Sequence, residues 1–287
     1  MMPLRRFQIH QPKNLAEACD MLAHYGEKGR LYAGGTELLL AMKHSLLRYD
    51  HLVDIKVVEG LDKVELTDSK LIIGATATHR AIEKSPLVRE RLPVLAGMEA
   101  RVANVRVRAT GTLGGNLCFA EPHSDPAALL LVLGARAQIQ GKSANKVVPM
   151  NEFIVGPYET CLAADEVLTA VEIPIPSPSA RAAYLKFQVH ERPTLGLALA
   201  LDTQGNGETI KSARAVVGSV CLTPCWSDKA DGLLAGPRNQ VERQLRDAAE
   251  ILADEADLVD DLEGGADYKR HLIGVFLKRA FNKALNQ

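Results

Sequence analysis

The sequence predicts an α+β fold made of an N-terminal α/β lobe, a mixed middle lobe and a C-terminal lobe of antiparallel sheet and helices. Three observations predict it. Over roughly the first fifty residues, short apolar runs alternate with segments of helical spacing. From about Val57 the runs read as hairpin strands, and beyond a proline-rich segment three strand-like runs precede two amphipathic helices. The 287 residues, 47% apolar and 24% charged, suffice for about two domains with proper cores.

Taken in order, Asn14 and Glu17 form a capping box of the Asx-x-x-Glu kind. Leu15, Ala18, Cys19, Leu22 and Ala23 then recur at helical spacing until Gly26 stops the helix. Arg30 to Ala33 and His51 to Ile55 are short apolar runs of the kind that forms strands buried between helices. VELTDSKLIIGA suggests a hairpin about Asp68-Ser69, and KVVPM and EVLTAVEIPIP suggest further strands of a meander, with helices at Pro93 to Val102 and Pro126 to Leu133. Ile173 to Arg181 carries three prolines in nine residues and marks a boundary. Residues 1–176 are therefore expected as one domain, with lobes of about 1–56 and 57–176, and 177–287 as another. In the latter, AAYLKFQVH, TLGLALALDT and TIKSARAVVGSV are strands, with a turn at Gln204 to Gly207. Val241, Leu245, Ala248 and Leu252 share one helical face, and Leu272, Val275, Phe276 and the stem of Arg279 share another.

Composition excludes several function classes. With 34 Lys+Arg against 35 Asp+Glu there is no basic stripe for nucleic acid. An acidic ligand must then be held by backbone amides. No apolar stretch reaches the ~20 residues of a membrane span, and the start, MMPLRRFQIHQPKN, lacks a signal peptide's apolar core, so a cytoplasmic chain is expected. The five cysteines are scattered and fit buried small hydrophobes, with no metal site or iron–sulfur cluster in this chain.

Two glycine-rich loops remain, AGGTEL (Ala33 to Leu38) and TGTLGGN (Thr110 to Asn116). Glycine pairs can simply make tight turns, but Gly34-Gly35 and Gly114-Gly115 also let amides approach an anion closely, and two such loops can cradle one pyrophosphate. Thr36 is placed to cap a helix starting at Glu37, and Thr112 and Asn116 bring side chains able to bind phosphate or ribityl hydroxyls. GxGxxG is absent, Gly141-Lys142-Ser143 lacks the upstream glycine of a P-loop, and HERPT at His190 is not HExxH. His123, Ser124 and Asp125 are consecutive, unlike a hydrolase triad. Asp125 before Pro126 reads as a helix cap, which can also face a ligand.

AGGTELLLAMK, LVDI, RATGTLGGNLCFAEPHSDPAALLLVLGA, DEVLTAVEIP, AYLKF and DYKRHLIGVFLKRAF together resemble the FAD-binding medium subunit of molybdenum hydroxylases, the xanthine dehydrogenase, carbon-monoxide dehydrogenase and 4-hydroxybenzoyl-CoA reductase superfamily. The resemblance implies a vanillyl-alcohol-oxidase (PCMH)-type FAD-binding fold. It implies that Tyr32, Ala33, Gly34, Gly35, Thr36, Glu37 and Leu38 form the first FAD loop, and Thr112, Gly114, Gly115 and Asn116 the second. It assigns Asp125 to the FAD sugar chain, Leu168 to an apolar flavin contact and Lys186 to a place near the flavin. Read alone, Lys186 is also an exposed strand lysine. Where many relatives continue with two basic residues and an aspartate, this chain reads FQVHERPTLG, and it has no room for the cysteine-bearing insertion of 4-hydroxybenzoyl-CoA reductase.

The resemblance further implies an electron-transfer subunit with FAD in this chain and no catalytic acid, base or nucleophile of its own. A large subunit with a molybdopterin cofactor and a small subunit with two [2Fe-2S] clusters would be its partners in a dimer of heterotrimers, with an external electron acceptor. A stand-alone flavin-dependent oxidoreductase of the same fold is the alternative.

Overall fold

In the computed structural model, which describes residues 4–67, 69–205 and 207–286, strand and helix alternate at the N-terminus as their spacing predicts. β1 (Gln8–His10), α1 (Leu15–Tyr25), β2 (Gly29–Tyr32), α2 (Leu38–Lys43) and β3 (His51–Asp54) build a parallel sheet in the order β1-β3-β2. Asn14 Oδ1 accepts from the Glu17 amide at 2.9 Å. Glu17 Oε2 accepts in return from the Lys13 amide at 2.6 Å, so the cap is reciprocal but closes one residue upstream of the usual partner. Gly26, at φ +53°, ends the helix. Ala18, Cys19 and Leu22 bury the inner face of α1 in one core with Val53 and Ile55.

Then follow β4 (Val64–Thr67), β5 (Lys70–Gly74), α3 (His79–Lys84), α4 (Pro86–Arg91), α5 (Pro93–Glu99), α6 (Val105–Thr110), α7 (Leu113–Phe119), α8 (Asp125–Val132), β6 (Arg136–Gln140), β7 (Asn145–Pro149), α9 (Met150–Phe153), β8 (Ile154–Gly156), β9 (Glu159–Thr160) and β10 (Val167–Pro174). β4 and β5 pair antiparallel as expected; of the turn assigned to Asp68-Ser69, Asp68 lies outside the described residues. The expected meander is corrected. The sheet runs β4-β5-β10-β6-β7, with the last strand inserted between two hairpins. β10 is flanked by a strand on each side, and Val167, Leu168, Ala170, Val171, Glu172 and Ile173 are all buried, so both of its faces are covered as well.

The chain divides into two compact units. One comprises the described residues of Met1–Val88 with Glu99–Ala120 and Ala135–Ile173; the other comprises Arg89–Met98, Glu121–Gly134 and the described residues of Pro174–Gln287. In the second, β11 (Ala180–Phe187), β12 (Leu195–Gln204) and β13 (Thr209–Gly218) form an antiparallel sheet, extended by β14 (Cys225–Trp226) and, after α10 (Asp228–Leu233), by β15 (Gly236–Pro237). The turn expected at Gln204 to Gly207 includes Asn206, which lies outside the described residues. α11 (Arg238–Glu255) and α12 (Ala266–Leu285) share the core of this sheet. Val241, Leu245, Ala248 and Leu252 are buried together as expected. On α12 the face shifts: Ile273, Leu277, Ala280 and Phe281 join Leu272 and Phe276, while Arg279 is exposed, its guanidinium 5.3 Å from the Phe276 ring centroid. Eight-residue and longer strands offer a wide surface, and a broader helical stripe covers it.

All five cysteines are free, but only Cys19 and Cys221 are buried; Cys118, Cys161 and Cys225 are partly exposed. Burial pushes the Cys221 thiol up to about 12. Among the described residues no helix is long and apolar enough to cross a membrane.

Loops of the second unit are tied by an ionic cluster. His123 Nδ1 lies 3.1 Å from Glu121 Oε1 and its Nε2 3.3 Å from Asp261 Oδ2. Arg192 pairs with Glu121 at 2.5 Å and the fully buried Lys269 with Asp261 at 2.6 Å. The hydrogen bond to Glu121 chiefly, with Asp261 adding and partial burial opposing, raises the His123 pKa above its ordinary 6.5. Stability from this imidazolium is therefore complete below 6.5 and is lost as pH rises through the raised value. The urea midpoint should fall between about pH 6 and pH 8 in the parent more than in His123→Gln; equal pH dependence in both would count against the cluster. At the other end of the chain, Asn14→Ala should lower unfolding free energy by about 1 kcal/mol, read from the same denaturation curves.

Candidate functional site

β2 and β3 end side by side with Tyr32 opposite Asp54. The chain leaves β2 through Ala33, Gly34, Gly35, Thr36 and Glu37, and α2 starts at Leu38. Gly35 takes φ +69°, which glycine adopts without a Cβ penalty. The Thr36 cap expected for a helix starting at Glu37 does not form. Glu37 itself holds the cap position, already helical at φ −93° and ψ −45°, with no side-chain cap bond. The first helical bond is from the Leu39 amide to the Gly35 carbonyl at 3.0 Å. Since α2 has six residues, its macrodipole is small, and the loop's own amides are what it offers an anion. The Gly34, Gly35 and Thr36 amides donate to no backbone carbonyl among the described residues.

The second segment differs from its expected form as a loop. α6 ends at Gly111, Thr112 caps α7 at φ −115° and ψ 153°, and Gly114, Gly115 and Asn116 lie within that helix. Thr112 Oγ1 accepts from the Gly115 amide at 3.1 Å, while buried Leu113 and Leu117 anchor the inner face. The Gly114 amide donates to the Ala75 carbonyl at 2.9 Å and the Asn116 amide to the Thr112 carbonyl at 2.9 Å. These amides already have protein acceptors, so the open-amide argument rests on the first loop. Gly114 is glycine for another reason: a Cβ there would stand 2.6 Å from the Ala75 carbonyl oxygen and 2.9 Å from its Cα.

The two segments meet. A Cβ on Gly34 would strike the Thr110 carbonyl oxygen and stand 2.7 Å from Gly111 Cα, and one on Gly111 would be 3.4 Å from Thr36 Oγ1. Backbone lies directly on backbone here, and only glycine permits it. Beneath them, the His79 amide donates to the Gly111 carbonyl at 3.0 Å, and His79 Nδ1 is 2.6 Å from Glu99 Oε2, both side chains being buried. Leu168 is buried in β10, whose Thr169 carbonyl accepts from the Ala75 amide at 2.9 Å. Ala75 thus links α7 to the strand that carries Leu168.

Asp125 and Lys186 belong to the second unit. The cap reading of Asp125 is corrected: Ser124 takes the cap position, Asp125 is the first helical residue, and Pro126 follows it. Its carboxylate turns to β11, accepting from Tyr184 Oη at 2.6 Å and from Lys186 Nζ at 2.8 Å. Tyr184 and Lys186 lie two apart on one strand, so both side chains leave the same face. The exposed-lysine reading of Lys186 is corrected too, since its side chain is 4% exposed and that of Asp125 6%. Gly196 on β12 makes room, because a Cβ there would be 2.6 Å from Tyr184 Oη.

Sequence reasoning missed Tyr184, Lys56, Asp54 and the His79–Glu99 pair. The i,i+2 spacing of Tyr184 and Lys186 was a usable signal; His79 and Glu99, on separate helices, left none. Among the described residues no cluster of three or more His, Cys, Asp or Glu is arranged to hold a metal ion.

A family model described as the FAD binding domain in molybdopterin dehydrogenase matches residues 5–176, and the CO dehydrogenase flavoprotein C-terminal domain matches residues 183–284. The chain belongs to this molybdenum hydroxylase flavoprotein family. It is 31% identical over 283 residues to the medium chain of carbon monoxide dehydrogenase from Afipia carboxidovorans, covering 97% of this chain and 96% of that one. To the nicotine 6-hydroxylase medium subunit of Paenarthrobacter nicotinovorans it is 28% identical, with 99% of each chain covered. The solved CO dehydrogenase of Oligotropha carboxidovorans superposes with a TM-score of 0.94 at 29% identity, again over 99% of both chains. The fold is accordingly the PCMH-type FAD-binding fold, and the flavoprotein is an oxidoreductase subunit.

The family's FAD can be tested against the first unit. The residues fit: three amides without backbone acceptors among the described residues stand on a loop seated closely against the α6–α7 segment. In the second unit, Lys186→Met would leave the buried Asp125 carboxylate with Tyr184 as its hydroxyl donor and no countercharge. It should cost about 3 kcal/mol of unfolding free energy in urea titrations, and an unchanged midpoint would refute the buried pair.

Proposed function

We propose that this chain carries electrons from the [2Fe-2S] clusters of a small partner subunit to an external acceptor, in an enzyme whose large partner subunit oxidises substrate at a molybdopterin cofactor. The observation that carries the proposal is the seating of the Gly34 loop on the Thr110–Gly111 backbone, in a chain whose relatives are medium chains of such dehydrogenases. FAD, when bound, supplies the redox chemistry. The protein's own residues bind and orient it. The Gly34, Gly35 and Thr36 amides hold pyrophosphate oxygens, and Tyr32, Ala33, Glu37 and Leu38 shape the loop that presents them. Thr112 and Asn116 flank this site with polar side chains, while Gly114 lets α7 lie on Ala75 and Gly115 gives its amide to the Thr112 cap. Leu168 supplies an apolar flavin contact. Residues 1–176 form the FAD domain and 177–287 the C-terminal domain of a cytoplasmic dimer of heterotrimers.

Purification from the native host is the direct test. Molybdenum, iron and two further chains should co-elute with this one; a yellow chain that oxidises substrate alone would overturn the proposal in favour of a self-sufficient flavoenzyme. For the site, Gly34→Ala drives a methyl into the Thr110 carbonyl and should weaken FAD binding at least about tenfold while the chain stays folded. Full flavin absorbance after desalting that variant would sink the site assignment.

A further inference from the structure

Lys56 lies in the turn directly after β3, in the sequence LVDIK. Asp54 Oδ1 accepts from the Lys56 amide at 3.1 Å and from Lys56 Nζ at 2.7 Å, folding the lysine back over the strand ends. The same Nζ donates to the Ala33 carbonyl at 3.0 Å and sits 3.9 Å from the centroid of the Tyr32 ring. An ammonium has three N–H groups, and here one meets a carboxylate, one a carbonyl and one an aromatic face. The Tyr32 ring also occupies the space a Cβ on Gly35 would need, with Cζ 3.2 Å from that position. The Tyr32 ring is therefore touched by both the ammonium and the loop glycine, and that glycine is the one at φ +69°.

We propose that Lys56 is a positioning residue for the cofactor loop, acting through Tyr32 to hold Gly35 so that the Gly34–Thr36 amides converge on one anion. The proposal deepens the FAD reading and rests on it. Lys56 is not a countercharge to the ligand, because Asp54 neutralises it at 2.7 Å. Its work is done before binding: a loop already in the receiving conformation loses less freedom when the anion arrives. The Lys56 side chain is 40% exposed, so replacing it leaves no core cavity.

The test is flavin-fluorescence titration of FAD into the flavin-stripped full chain, with folding checked by circular dichroism. Lys56→Met and Tyr32→Leu should each raise Kd about tenfold, and Lys56→Arg, which keeps charge, donors and ring contact, should stay within about twofold of the parent. The double variant K56M/Y32L should bind no worse than either single one, since both remove the same clamp. The Lys56→Met loss should also be equal at low and high salt. Additive losses, or a loss that disappears in salt, would mean direct attraction to phosphate and would overturn the positioning role, as would parent-like binding by Lys56→Met. If the parent chain takes up no FAD, the FAD reading falls and the inference with it; a tight parent with an equally tight Lys56→Met defeats the inference alone.

Discussion

The approach of the Gly34 loop to the Thr110–Gly111 backbone is the constraint around which the first unit is arranged. No side chain mediates it, so its separation is set by main-chain van der Waals contact and cannot be tuned by rotamers. From there the connections continue through main-chain hydrogen bonds, from α7 to Ala75 and from Ala75 to β10. A parallel sheet and an antiparallel sheet are thereby joined through peptide groups. Loop amides mounted on such a frame keep their direction, which is what recognition of an anion without a lysine cluster demands.

The electrostatics of the chain follow the same economy. Its net charge is −1, and two cations near functional segments are matched, Lys56 by Asp54 and Lys186 by Asp125. Matched pairs give little long-range field, but they fix geometry. The buried Asp125 carboxylate receives two donors from one strand, which ties the first turn of α8 to β11 within the second unit. A buried pair of this kind is costly to break, and therefore holds its elements in a single arrangement.

Glycine carries three separate meanings here that look identical in a sequence. At Gly35 it permits a left-handed backbone, at Gly34 it permits two peptide planes to touch, and at Gly114 it lets a helix lie on Ala75. Read from spacing, both pairs suggested open amides. Only the first segment has them, because Thr112 folds the second into a capped helix whose amides find partners inside the protein.

Local rules made much of the fold legible in advance. The Asn14 cap, the Gly26 stop, the α11 stripe and the alternation of the first five elements follow from contacts within a few residues, which spacing records. Motif identity likewise named the cofactor family. Tertiary structure decided what depends on partners distant in the chain. β10 takes the centre of its sheet between strands distant in sequence, Asp125 leaves its cap for Tyr184 and Lys186, and Lys56 folds over Tyr32. In each case the deciding energy is burial or pairing across long sequence separation or between neighbouring strands, and no local pattern encodes which distant group will arrive.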